Sequence, residues 1–238
     1  MPESSKGSIP FQLHVKETSI PLFPKQGAAS PRLSFSLVLL EFPRQDALEE
    51  LLETIFYDGI DPQGYGTKLI NQHKPDYLDM VRIAEEHPDI PSESLNWEYG
   101  EVLAVSFPTS SLAVISRSRE YYLGGAHGMR EKKYAVIDIK ENRQLNIENL
   151  LKRGAKATLQ QRLEAELRAI TNLEGTAPLS EGGFFEDTVE IPENFFLSSE
   201  GLGFHWDPYE IAPYVMGPIE VFLPAENVRD LLRTDIFS

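Results

Sequence analysis

The stretch WEYGEVLAVSFPTSSLAVISRSREYY, residues 97–122, decides the fold. Two runs rich in β-branched and aromatic residues, Trp97 to Phe107 and Ser111 to Tyr122, flank Pro108-Thr109-Ser110. Two extended runs joined by a short polar loop predict a β-hairpin. Working outward, Gly124-Gly125-Ala126-His127-Gly128 interrupts, and a strand resumes from Lys133 to Lys140. On the N-terminal side, Ile9–Lys16 and Arg32–Phe42 read as strands, the second with Phe35, Leu37 and Leu39 on one face.

Helices fall between and after these strands. Asp46 with Glu49 predicts a capping box, and Leu48, Leu51, Leu52, Ile55 and Phe56 form an apolar stripe ended by Asp58-Gly59. The run from Asp61 to Gly66 reads as a loop, and Pro75 as the first turn of a second helix bearing Tyr77, Leu78, Val81 and Ala84, stopped by Pro88. Further on come a short helix near Ile147–Leu151 and a longer one over Ala155–Thr171, with Leu159, Leu163, Leu167 and Ile170 inward. Gly175–Gly183 reads as loop. Three strands follow, Asn194–Leu197, Gly201–Trp206 and Ile219–Leu223, before a closing helix over Ala225–Leu232. Strands paired with their sequence neighbours and interrupted by helices predict α+β: largely antiparallel sheets with helices packed on them.

The chain has 238 residues, enough to bury a core without staples. Residues 1–8 are polar and read as a flexible leader without a signal peptide's apolar segment. Residues 9–238 are expected to be one compact domain with N-terminal (9–122) and C-terminal (123–238) subregions, since no Pro/Ser/Gly-rich linker parts them. With no cysteine, disulfides, thiol nucleophiles and thiolate metal sites are excluded. No apolar run approaches ~18 residues, so no membrane helix is expected. The net charge of −15 argues against binding nucleic acid through its phosphates. That charge is uneven: −11 over 41–101, +5 over 117–168 and −11 over 169–238. A strong field of one sign accelerates encounter with an oppositely charged partner, here a basic one.

Two segments carry a resemblance to a known family. One is Tyr121-Tyr122-Leu123-Gly124-Gly125-Ala126-His127-Gly128 with Tyr134–Asp138 and Leu145–Leu151. The other is Asn194–Leu197 with Gly201–Trp206 and Asp207-Pro208-Tyr209-Glu210-Ile211-Ala212-Pro213-Tyr214, continued by Gly217, Ile219–Leu223 and Leu231. Together they resemble a bacterial envelope domain similar to the extracytoplasmic part of lysozyme-sensing anti-sigma factors and to the N-terminal accessory module of peptidoglycan deacetylases. The resemblance implies an exported α+β domain in the periplasm or at the cell surface, often tethered as a lipoprotein through an anchor in its precursor. It implies a binding role, with lysozyme or peptidoglycan fragments as partners. Neither a membrane helix nor a sigma-binding segment stands in this chain, and Gly128-Met129-Arg130 replaces the family's small polar turn.

The candidate binding residues are therefore Gly124, Gly125 and His127 in the glycine turn, and Asp207, Pro208, Tyr209, Glu210 and Tyr214 in the aromatic-acidic segment. The glycines allow φ > 0 and close backbone approach, and Tyr209 suits an interface anchor. No Gly-x-Ser-x-Gly or phosphate-binding loop is present, so no catalytic residue, metal or cofactor is assigned. Of the five histidines, His14, His73, His87, His127 and His205, no two stand at metal-ligand spacing. The alternative reading is a cell-wall glycan hydrolase or deacetylase in which His127 and His205 converge with nearby carboxylates.

Overall fold

The computed structural model describes residues 9–107, 109–234 and 236. The expected leader over 1–8 and Pro108 of the hairpin loop lie outside them. The fold is α+β, with a six-stranded sheet in the order β1-β2-β3-β4-β5-β6 and a three-stranded sheet in the order β7-β8-β9. The strands of the first are β1 (Gln12–Pro21), β2 (Arg32–Glu41), β3 (Trp97–Ser106), β4 (Leu112–Tyr122), β5 (Met129–Asp138) and β6 (Arg143–Leu145). Those of the second are β7 (Phe195–Leu197), β8 (Gly201–Trp206) and β9 (Ile219–Pro224). β1–β2, β5–β6, β7–β8 and β8–β9 are antiparallel. The β2–β3 pair is parallel. Its crossover is made by α1 (Asp46–Phe56) and α2 (Pro62–Glu86), as a parallel connection requires.

Two compact units divide the residues. One comprises Ile9–Ala104 and Arg117–Arg130; the other includes Val105–Ser116 and Glu131–Ser238. In the first, β2 turns Leu33, Phe35, Leu37 and Leu39 inward, and α2 packs over β1 and β2. The second has its own core, built on Ile147 and Leu150 of α3 (Ile147–Leu150), Leu159, Leu163 and Leu167 of α4 (Lys156–Ile170), Val136 of β5, and Leu202, Phe204, Val221 and Leu223 of the small sheet.

Several sequence expectations are corrected. β1 begins at Gln12, runs on to Pro21, and is inside out. Its apolar Leu13 and Val15 are exposed, while His14 and Lys16 face inward to pair with Glu41 and with the Thr67 hydroxyl of α2. Helix α1 has no capping box: Gln45 is its N-cap, and Glu49 instead accepts from the Phe42 backbone N–H at 2.5 Å. The run from Asp61 to Gly66 is helix rather than loop. The Asp61 carboxylate caps α2 by accepting from Gln63 and Gly64 N–H, and Pro62 takes the first helical position. Pro75 lies inside that single 25-residue helix rather than starting a second one. Leu78 and Ile170, expected inward, are exposed. The closing helix is two separate 3-10 turns, Ala225–Asn227 and Arg229–Leu231. There the backbone is committed elsewhere, with Lys152 N–H donating to Leu231 C=O and Arg233 N–H to Leu150 C=O.

Candidate functional site

Strand β8 is the spine of the site. Its Gly203 lies directly opposite Phe196 on β7 and Phe222 on β9. A side chain there would put its Cβ 2.0 Å from the Phe196 ring. The absent Cβ lets the Phe196 ring cover β8, 4.5 Å from the Tyr134 ring and stacked at 6.3 Å on Phe222. This aromatic row fixes β8 and delivers the two residues beyond Phe204, His205 and Trp206, to the start of the Asp207–Tyr214 segment.

His205 is only 4% exposed. Its Nε2 donates to Asp207 Oδ1 at 3.0 Å, and its Nδ1 lies 3.4 Å from Glu220 Oε2 on the neighbouring strand. The same Asp207 oxygen accepts from Lys132 N–H at 2.8 Å. Asn194 completes the network as a peptide mimic, its Oδ1 accepting from Tyr134 N–H at 2.8 Å and its Nδ2 donating to Lys132 C=O at 2.6 Å. Burial, together with Glu220, raises the Tyr134 phenol above its ordinary pKa. Through Asp207 the buried imidazole ties β8 to β5, while its Nδ1 makes no hydrogen bond among the described residues. Among the described residues, no group of three or more His, Asp or Glu is placed to hold a metal ion.

Beyond the brace, Asp207-Pro208-Tyr209-Glu210 forms a tight turn. Glu210 N–H donates to Asp207 C=O at 3.1 Å, and the Glu210 carboxylate accepts from Asp207 N–H at 2.7 Å. Pro208 at the second position and φ +73° at Tyr209 fit a type II turn, which favours glycine where Tyr209 stands. A tyrosine in that conformation costs of order 1 kcal/mol or more. Tyr209 is 52% exposed, with its ring 5.6 Å from the Tyr214 ring. The strained turn thus carries an aromatic side chain into solvent, beside Tyr214 from the end of the same segment.

Next to the turn lies a groove of about 540 Å³. Sequence reasoning missed it. Its walls come from Phe185, Glu186 and residues 188–194, and from Trp206, Glu210 and Ile211. Phe185 N–H donates to Ile211 C=O at 2.9 Å and ties the two walls together. The only hint in the sequence is the run of acids Glu186, Asp187, Glu190 and Glu193 around Val189 and Ile191, which follows neither helical nor strand periodicity.

The glycine turn belongs to the other unit. Gly124 and Gly125 hold φ of +83° and +95°, the left-handed backbone expected of them. A Cβ on Gly124 would lie 3.1 Å from the Trp97 indole nitrogen, so the turn closes over that ring. His127 is exposed, its Nδ1 donating to the Gly128 carbonyl at 3.1 Å. The structure brings His205 together with Asp207, and Asp207 with Glu210; His127 is occupied within its own turn. Gly125→Val should cost about 1–3 kcal/mol through its backbone alone. Gly124→Val should cost at least as much because the side chain also meets Trp97. Thermal melts of the two variants check both, and unchanged melting points would contradict the strained turn.

In the first unit, a second polar cluster gathers around a fully buried carboxylate, with Arg119 reaching it from a partly exposed position. Glu101 on β3 is 0% exposed. Its Oε2 accepts from Arg119 Nε at 2.7 Å and from the hydroxyls of Tyr99 at 3.1 Å and Tyr65 at 3.2 Å. Burial, then the Glu101 charge, pushes the Tyr65 phenol up to about 12.

Residues 148–226 match the model of a family described as a protein of unknown function, DUF3298. No curated protein matches the chain. Among solved structures it is similar to a DUF3298 family member from Bacteroides fragilis NCTC 9343, with a TM-score of 0.78 and 22% identity over 98% of this chain and 96% of that one. It is also similar to a DUF3298 family protein from Pseudomonas aeruginosa PAO1, with a TM-score of 0.64 and 18% identity over 97% of each. At these identities the likeness is one of fold.

Proposed function

We propose that the DUF3298-like module and the residues around it form a non-catalytic binding domain of the bacterial cell envelope. It acts outside the cytoplasm, with a basic protein as its partner. The link to lysozyme-sensing anti-sigma factors and to deacetylase accessory modules rests on the resemblance carried by Gly124–Gly128 and Asp207–Tyr214, and lysozyme is the partner it suggests. Peptidoglycan fragments are the second probe. The observation that carries the reading is the strained turn holding Tyr209 in solvent beside Tyr214, within a stretch whose net charge is −11. Half-exposed aromatics braced by a rigid turn suit interface anchors, and the acidic surround suits a cationic partner.

Charge and anchor act on different rates. Charge steers encounter and is screened beyond a Debye length of ~8 Å at physiological salt. The anchor governs departure. Raising salt should therefore slow association of lysozyme, whereas Tyr209→Ala should chiefly speed dissociation and cost at least ~1 kcal/mol. Alanine keeps the Cβ, so the backbone strain at position 209 is unchanged and only the ring is lost. Surface-immobilised binding kinetics read both rates. Binding that persists unaltered in Tyr209→Ala would move the contact face away from this turn.

A further inference from the structure

We infer that the groove beside the turn is a seat for an extended segment of a partner chain that carries lysine or arginine next to an apolar residue. The inference rests on the reading of this region as a docking module for a basic partner, and it adds the place and chemistry of the contact. Three features of the groove set that chemistry.

The first is charge. Glu186, Glu190, Glu193 and Glu210 line the groove, and among the described residues no Lys, Arg or His does. None of the four forms an ion pair among the described residues. Lys156, the lysine on which the Glu190 charge acts, is already held by Glu148 at 2.9 Å. A cationic side chain is the complement; a carboxylate or phosphate would be repelled. The second is the apolar floor, from Trp206 and Ile211, with the half-exposed Phe185 at the rim. Such a surface accepts the aliphatic stem of a lysine or arginine as well as a neighbouring apolar side chain.

The third is backbone. Among the described residues, the run from Thr188 to Glu193 makes no hydrogen bond through either its backbone or its side chains. Free N–H and C=O groups along one wall can pair with an extended ligand as an added strand does, giving affinity that is independent of sequence. Side-chain pockets then supply the selectivity. A groove of about 540 Å³ is within the size range of pockets that enclose a compact ligand, and fits a few residues of peptide.

The test uses the whole chain and a fluorescein-labelled peptide, Leu-Arg-Leu-Lys-Leu, followed by anisotropy at low salt, with Leu-Glu-Leu-Asp-Leu as the acidic counterpart. Saturable binding of the basic peptide alone is expected. The pair Glu190→Lys and Glu193→Lys should weaken it at least ten-fold. The pair Glu85→Lys and Glu98→Lys makes the same change of net charge at exposed positions of the other unit and should change it less than two-fold. If the lysine pair at the groove does not fold, Glu190→Gln with Glu193→Gln preserves shape and should still weaken binding several-fold. Absence of saturable binding, or equal weakening by the groove and the distant pairs, overturns the proposal. Lysozyme measured in parallel separates the two readings. Lysozyme binding that depends on Tyr209 while the peptide fails to bind overturns the groove alone, and groove-dependent peptide binding without lysozyme binding overturns the choice of lysozyme alone.

Discussion

Arg119→Met is expected to cost about 3–5 kcal/mol of folding stability, because it leaves the Glu101 carboxylate buried and uncompensated. Glu101 is fully enclosed, and all its hydrogen bonds arrive on one oxygen: Arg119 Nε at 2.7 Å and the Tyr99 and Tyr65 hydroxyls. Among the described residues its other oxygen has no hydrogen-bond partner. Burial opposes the Arg119 charge, but Glu101 and the two phenols outweigh it and raise its pKa, so the guanidinium keeps its charge beside the carboxylate. Removing the cation leaves two phenol hydroxyls to carry the anion. Replacing both charges, with Glu101→Leu added to Arg119→Met, should cost less than Arg119→Met alone, since an apolar pair has no charge to desolvate. Urea unfolding of the two single variants and the double closes the cycle. A cost below about 1 kcal/mol for Arg119→Met would show that water reaches the carboxylate.

Gly203→Val is expected to cost about 3 kcal/mol or more, at the upper end for overpacking. The added side chain would begin 2.0 Å from the Phe196 ring, and that ring cannot simply swing away. Phe196 is held between Tyr134 at 4.5 Å and Phe222 at 6.3 Å. The damage should reach the site, because β8 carries His205 and leads directly into Asp207. Paired variants make the mechanism visible: with Phe196→Ala the ring that collides is gone, so Gly203→Val should cost markedly less in that background. Equal cost in both backgrounds, measured by thermal or urea melts, would mean that Phe196 is not what excludes a side chain at position 203.

Period-driven elements were legible in the sequence, and those set by exceptions were not. The Leu159, Leu163 and Leu167 stripe and the alternation of β2, β7 and β9 follow from spacing, because burial on one face leaves its mark on every second or every third to fourth residue. Gly64, Gly66 and Pro75 look like breakers and disguise the single helix α2 in the sequence. Asp61 capping and Pro62 in the first turn begin it earlier, and Gly66 lets the helix approach Leu37 and Leu39. β1 misleads because its apolar residues face solvent and its inward positions are polar. β3 carries the same inversion at one point, placing Glu101 inward and Val102 outward.

The site divides in the same way. His205 and Asp207 stand two residues apart, so their pairing is local and readable. Glu220 joins them only through the β8–β9 register, which sets it opposite His205. The positive φ at Gly124 and Gly125 follows from residue type, whereas the positive φ at Tyr209 runs against it and becomes visible only in the closed turn. The groove had no periodic signal at all. Its wall over 188–193 is neither helix nor strand, and its character comes from the side chains that tertiary structure gathers there.

The most direct test of a docking module for a basic partner is the equilibrium titration of the whole chain with lysozyme at low ionic strength, repeated as salt is raised. A saturable complex is predicted, its affinity falling as salt is raised and falling further in Tyr209→Ala at every salt concentration. No detectable complex at the lowest salt would contradict lysozyme as the partner, and a complex indifferent to both salt and Tyr209 would contradict the acidic aromatic face as its seat.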